Sequence, residues 1–200
     1  MFIAMEKRRF FNTKMITTTA ILLAIEIVLQ IIGNYVFIGS FTNLNFSLII
    51  IAIGAILYGP VVGGFLGFVS GILTIFAPNT LDYFMSVSPV GTILACLLKT
   101  TIAGVVAGFL MIFFRKINKE TLGTIIVSIL VPVINTGIFA VFCLLFFMKR
   151  LEQLNPNNIA AALFLGMIGF NFIFEVLTTS IISPSLYKVV LHDSIKNRED

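Results

Sequence analysis

Three ionisable residues sit inside apolar runs where a charge is costly: Glu26 in LLAIEIVLQ, Lys99 in ACLLKTTIA and Glu175 in NFIFEVLTT. Placing such a group in hydrocarbon costs at least about 2.5–3.5 kcal/mol on insertion scales, so each one requires a partner or a task. Asn135 and Asn171 lie in equally apolar surroundings. Asn171 shares a helix face with Glu175, because residues four apart stack on one side. Two arrangements satisfy this set. In one, Lys99 pairs with Glu26 or Glu175 and the asparagines bond across helices as packing glue. In the other, a polar cup receives an anionic or strongly polar solute, with Lys99 facing its negative group and Asn135 and Asn171 supplying oriented amides. The expectation for Glu26 is structural, and for Glu175 it is a buried partner to Lys99 or a backbone cap. Pro132, three residues before Asn135, frees a carbonyl and bends its helix, which opens room at that level.

No nucleophilic or acid–base set accompanies these residues. The single histidine, His192, lies past the last apolar run among Asp193, Lys196 and Arg198 and reads as a solvated tail residue. Cys96 and Cys143 both lie within apolar runs and read as small hydrophobes, with neither a disulfide nor a metal-ligand spacing. A phosphate loop, a Walker-type motif and a metal cluster are all missing from the sequence. The chain is therefore expected not to be an enzyme and to need no cofactor. If a solute moves, this chain does not hydrolyse ATP to move it.

The elements that must position these residues follow from composition. The 200 residues are 58% hydrophobic and only 11% charged, whereas a soluble domain is about 45–50% apolar and about 25% charged. Such a chain cannot cover itself in water, which excludes a soluble enzyme, a disordered chain and a nucleic-acid binder. The sequence pI near 9.2 does not point to DNA, because the basic residues flank apolar runs, where they orient a protein in a lipid bilayer. A spanning helix needs about 20 mostly apolar residues. The expected fold is an all-α integral membrane bundle of six transmembrane helices forming one domain over 1–200.

The six spans are placed at 15–37, 45–57, 61–76, 90–114, 122–148 and 158–187, with short flanking segments at 1–14 and 188–200. The first apolar run is too long for a signal peptide and is counted as a retained span. The second is short and is expected to tilt or to sit behind its neighbours. Tyr58-Gly59-Pro60 makes the turn into the third, since proline suits the first turn of a helix. At about 1.5 Å per residue, Glu26 and Lys99 both fall near the bilayer midplane.

Orientation follows from the basic residues. Lys7, Arg8, Arg9, Lys14, Arg115, Lys116, Lys119, Lys188, Lys196 and Arg198 fall on one side, and only Lys149 and Arg150 on the other. This asymmetry places both termini in the cytoplasm. The outer loops are then 38–44, 77–89 and 149–157, and they carry Asn43, Asn45, Asn79, Asp82, Tyr83, Ser86, Ser88, Asn155 and Asn157 at or near their ends. Elaborated outer loops over tight inner turns suggest that something is received from outside, with 77–89 as a lid.

Small residues recur at helical spacing. Gly59, Gly63, Gly67 and Gly71 form one ridge, and Thr100, Gly104 and Gly108 another. Four-residue spacing lets backbones approach closely, and these ridges are expected to serve packing within the bundle. Ala20 and Ala24 make a shorter pair near the inner end of the first helix, where a membrane partner could dock.

Taken together, Ala20-x-x-x-Ala24, LNFSLIIIAIGAILYGPVVGGFLGFVSGI, SPVGTILACLLKTTIAGVVAG, VPVINTGIF and GFNFIFE resemble the S components of energy-coupling factor (ECF) vitamin transporters over nearly the whole chain. The resemblance implies a high-affinity substrate-binding subunit in a bacterial cell membrane. It would work with a transmembrane coupling protein and two ATPase subunits. It implies that Ala20 and Ala24 pack on the coupling protein. It also implies that substrate is enclosed by the outer segments around Asn43, Asn45 and Tyr83 together with the later helices that carry Lys99, Asn135 and Asn171. Among riboflavin, folate and pantothenate members, the lack of tryptophan and the deep polar residues favour a smaller solute with a carboxylate and amides, and INTGIF with NFIFE is closest to the pantothenate type. The alternative is an autonomous ion-coupled secondary transporter using Glu26, Lys99 and Glu175 as a proton relay. Such carriers are commonly built from internal repeats, and no half-to-half similarity is visible. An integral-membrane enzyme or a scaffold is the third possibility, and it lacks a reactive constellation.

Overall fold

A computed structural model describes residues 13–36 and 42–196 of the chain. Lys7, Arg8, Arg9 and Arg198, used above for orientation, and residues 38–41 of the first outer loop lie outside the described residues. The helices are α1 (Thr13–Gly33), α2 (Ser47–Tyr58), α3 (Pro60–Ile75), α4 (Pro89–Lys116), α5 (Glu120–Phe146), α6 (Met148–Leu154), α7 (Ile159–Ala161) and α8 (Gly169–Lys196). Two π-helical segments, Thr80–Met85 and Ala162–Ile168, complete the path. No strand occurs among the described residues.

Four helical stretches are long and apolar enough to cross a membrane: Thr13–Gly33, Pro89–Lys116, Glu120–Phe146 and Ile159–Lys188. The other two expected spans are shorter. At 1.5 Å per residue, α2 and α3 reach only about 18 and about 24 Å against a hydrocarbon core of about 30 Å. For α2 the reason is visible in its surroundings. Ser47 through Ile56 are all buried, as expected for a helix that is apolar all round, and it packs against α1, α3, α4, α5 and α8. It is the centre of the bundle, wrapped by longer helices.

Local chemistry explains where these helices begin. Gly59 takes φ +87° and its N–H returns to the Ala55 carbonyl, ending α2, and Pro60 opens α3. A left-handed backbone at this junction suits glycine, and the missing proline N–H costs nothing in a first turn. Ser88 caps α4, its Oγ accepting from the Gly91 N–H at 3.2 Å, with Pro89 following. Asn158 caps α7 in the same way, accepting from the Ala161 N–H at 2.9 Å.

The glycine ridges serve packing within the bundle. A Cβ at Gly63 would meet the Gly104 carbonyl oxygen at 2.5 Å, one at Gly71 the Cys96 carbonyl oxygen at 2.6 Å, and one at Gly67 would fall on the Thr100 carbonyl. The α3 and α4 backbones therefore touch along their length. This seam fixes the rotation of α4 about its own axis, and with it the direction of Cys96 and Lys99.

The basic end of the bundle is tied by polar side chains. Arg115 Nη2 donates to the Ile56 carbonyl at 2.7 Å, satisfying one of the open acceptors at the C-terminus of α2. The Tyr187 hydroxyl donates to Glu120 Oε2 at 3.2 Å and joins α8 to α5. The opposite end is more structured than loops alone. Segment 77–89 holds the Thr80–Met85 π-turn, and α6 occupies most of 149–157. The last span is interrupted by Ala162–Ile168, after which Gly169 takes φ +55°. The wide turn and the glycine re-aim the chain just before Asn171 and Glu175.

Candidate functional site

At the asparagine-rich end, α1, the 42–45 segment, the Thr80–Met85 turn, α4, α5 and α8 enclose a cavity of about 70 Å³. Lys99, Asn135, Asn171, Asn43 and Asn45 all line it, so five of the residues expected to bind substrate meet in one place. Both π-helical segments border it, through Thr80 and Phe84 from one and Met167 and Ile168 from the other. Irregular helical turns of this kind are frequent at functional sites.

Lys99 is half-buried, and its Nζ lies 5.0 Å from the centroid of the Phe139 ring, a cation–π arrangement. It forms no ion pair with Glu26 or Glu175 among the described residues, so the pairing considered from the sequence is not made. Glu175 takes the capping role instead. Its Oε1 accepts from the Asn45 backbone N–H at 3.0 Å. Glu26 is fully buried, does not line the cavity, and neither of its carboxyl oxygens has a hydrogen-bond partner.

Buried polar atoms without partners are concentrated here. Asn135 Oδ1, Asn43 Oδ1 and Asn45 Nδ2 make no hydrogen bond, although all three residues line the same cavity. A buried polar atom left unpaired costs about 1–3 kcal/mol, a cost that a polar molecule in the cavity would offset. The rest of each side chain is anchored. Asn43 Nδ2 donates to the Asn34 carbonyl at 2.7 Å, and Asn45 Oδ1 accepts from the Ser47 hydroxyl. From there a polar chain runs through Ser47, Ser70 and Gln30 to Asn34 and Thr74, at 2.9 and 3.2 Å from Gln30 Nε2. Asn171 acts as a strap. Its Nδ2 donates to the Thr42 carbonyl and, at 3.1 Å, to Thr42 Oγ1, while Thr42 Oγ1 donates to the Met167 carbonyl at 2.9 Å.

Tyr83 is outside the cavity lining, and its expected place is taken by Phe84. The π-turn directs Phe84 inward, edge-on to Phe139 at 5.8 Å and to Phe147 at 5.2 Å. Tyr83 stacks beneath Arg150, whose guanidinium carbon lies 4.8 Å from the ring centroid. Burial holds the Tyr83 phenol above its ordinary pKa, outweighing the lowering by Arg150. Arg150 also donates to Ser86 Oγ at 3.4 Å and Gln153 Oε1 at 3.1 Å. It thereby clips the π-turn to α6 above the cavity.

Ala20 and Ala24 are both exposed, on the side of α1 opposite the buried Leu22, Glu26 and Gln30. Ala20 borders an apolar groove with Val61 and Phe65 of α3. The alanine pair therefore takes no part in closing the bundle.

Sequence reasoning missed Gln30, Asn34, Thr74 and Phe139 as lining residues, and expected Glu175 only as a buried partner to Lys99 or a backbone cap. A signal for two of them was present: Glu26, Gln30 and Asn34 follow at four-residue spacing and share one helix face. Phe139 gave no signal, being one of 21 phenylalanines.

A comparison with curated proteins gives no match. A family model does match, that of the ECF transporter substrate-specific component, over residues 14–187. With a cavity lined by unpaired amides at one end of an apolar helical bundle, the chain belongs to the family of substrate-specific components of ECF transporters, membrane proteins that bind a small molecule and associate with the ECF module.

Proposed function

We propose that this chain is the vitamin-binding subunit of an ECF importer, with pantothenate favoured over riboflavin or folate. The observation that carries this reading is the convergence of Lys99 with the unpaired amide atoms of Asn43, Asn45 and Asn135 on one cavity. A carboxylate suits the Lys99 ammonium, and hydroxyl and amide groups suit the asparagines. Substrate enters from the asparagine-rich side, beneath the Thr80–Met85 turn that Arg150 clips in place, with six spans and both termini in the cytoplasm. Ala20 and Ala24, exposed on the far face of α1, pack against the coupling protein, and two ATPase subunits supply the energy.

Copurification tests this reading. Expressed with its neighbours in a membrane, the tagged chain is expected to pull down a coupling protein and ATPase subunits and to retain pantothenate detectable by mass spectrometry. Retained riboflavin or folate would replace the vitamin assignment. Solute uptake by the purified chain alone under an ion gradient would overturn the subunit reading.

A further inference from the structure

Lys99 and Glu175 line the same cavity from α4 and α8. They nonetheless form no ion pair, which would bring nitrogen and oxygen within 4.0 Å. Each is held by something else. Lys99 sits over the Phe139 ring. Glu175 is fixed through Oε1 by the Asn45 N–H, which leaves its second oxygen for the cavity. An ammonium and a carboxylate lining one cavity of an apolar bundle gain by pairing, because separated buried charges are costly. Here the α3–α4 glycine seam fixes one and a backbone hydrogen bond the other.

We infer that the substrate itself bridges the two. It is an acid whose other end carries N–H or O–H donors, with the acidic group on Lys99 and the donors on Glu175. Glu175 is then a specificity-determining residue, a role distinct from its capping bond. The unpaired atoms support the same polarity. Asn43 Oδ1 and Asn135 Oδ1 are acceptors that need donors from the ligand, while Asn45 Nδ2 is a donor without a partner. With Glu175, the two amide oxygens make a wall of acceptors. A dicarboxylate would leave its second acid against that wall, and a neutral ring without an acid would leave Lys99 uncompensated. This inference deepens the vitamin-binding reading and rests on it, while the particular vitamin is left free.

The test uses the full-length protein purified in detergent from cells grown on rich medium. The retained solute is released, weighed by mass spectrometry, and derivatised with acidic methanol to count acids and with acetic anhydride to count hydroxyls and amines. At least one methyl ester and at least one acetyl adduct on the same molecule are expected. Lys99→Met and Glu175→Gln, the latter keeping an acceptor for Asn45, are each expected to weaken rebinding of that solute by about thirtyfold or more, the loss typical of truncating one member of a buried charge pair. A solute lacking an acid, or lacking any N–H or O–H donor besides it, overturns the inference even if neither variant folds. Wild-type rebinding by both folded variants overturns it too, and leaves a pantothenate assignment standing. A retained acid with donors other than pantothenate removes the vitamin assignment and upholds the bridge. A wild-type protein that retains no solute defeats both.

Discussion

The Asn45 N–H donates to Glu175 Oε1 at 3.0 Å across a separation of 130 residues. This bond joins the segment leading into α2 to the first turns of α8. It therefore sets the position of the Asn43–Asn45 amides relative to the Asn171 strap, and with it one wall of the cavity. Glu175→Ala is expected to leave that N–H buried and unpaired, lowering stability by about 1–3 kcal/mol. Glu175→Gln, which retains an acceptor, is expected to stay close to wild type. Thermal unfolding in detergent separates them, and equal loss in both variants would show that the capping bond is not what matters.

Gly67, in the α3–α4 seam, contrasts with Gly137 in α5. A Cβ at Gly67 falls on the Thr100 carbonyl, whereas one at Gly137 meets nothing within 4 Å. Gly67→Ala is expected to force the helices apart at a cost of about 1–3 kcal/mol, as overpacking does. Gly137→Ala is expected to be neutral or stabilising by up to about 1 kcal/mol through helix propensity. Destabilisation by the Gly137 change, measured in the same melt, would contradict the packing described.

Replacing Ala20 or Ala24 by Leu or Trp is expected to weaken assembly with the coupling protein while solute binding persists, because both side chains lie on the exposed face of α1. Copurification yield and solute affinity measured on the same preparation distinguish the outcomes. Lost binding with intact assembly would return the pair to internal packing.

Arg150 holds the Thr80–Met85 turn against α6 through the Tyr83 ring. An exposed cation–π contact contributes about 0.5–1 kcal/mol, a few-fold in an opening equilibrium. Arg150→Ala is accordingly expected to speed both solute entry and release by a few-fold with little change in affinity, read by stopped-flow binding. Unchanged rates would show that the turn does not gate access.

The bilayer setting, the helical class and the deep polar residues were legible in the sequence, since they rest on local quantities: apolar run length, charge at the run edges, and the cost of a lone ionisable group. The glycine ridges were legible too, because four-residue spacing has one geometric meaning on a helix. What each deep residue meets was decided only in three dimensions. The sequence left Lys99 open between a glutamate and a solute, and the rotation of α4 against α3 turned it toward Phe139. Glu175 became a cap because the packing brings the Asn45 N–H, 130 residues away in the chain, against it. Phe84 took the place expected for Tyr83 through one π-helical turn, which hydropathy does not register. Run length and charge are properties of neighbouring residues in the chain, whereas partner choice depends on which faces of separate helices the packing brings together.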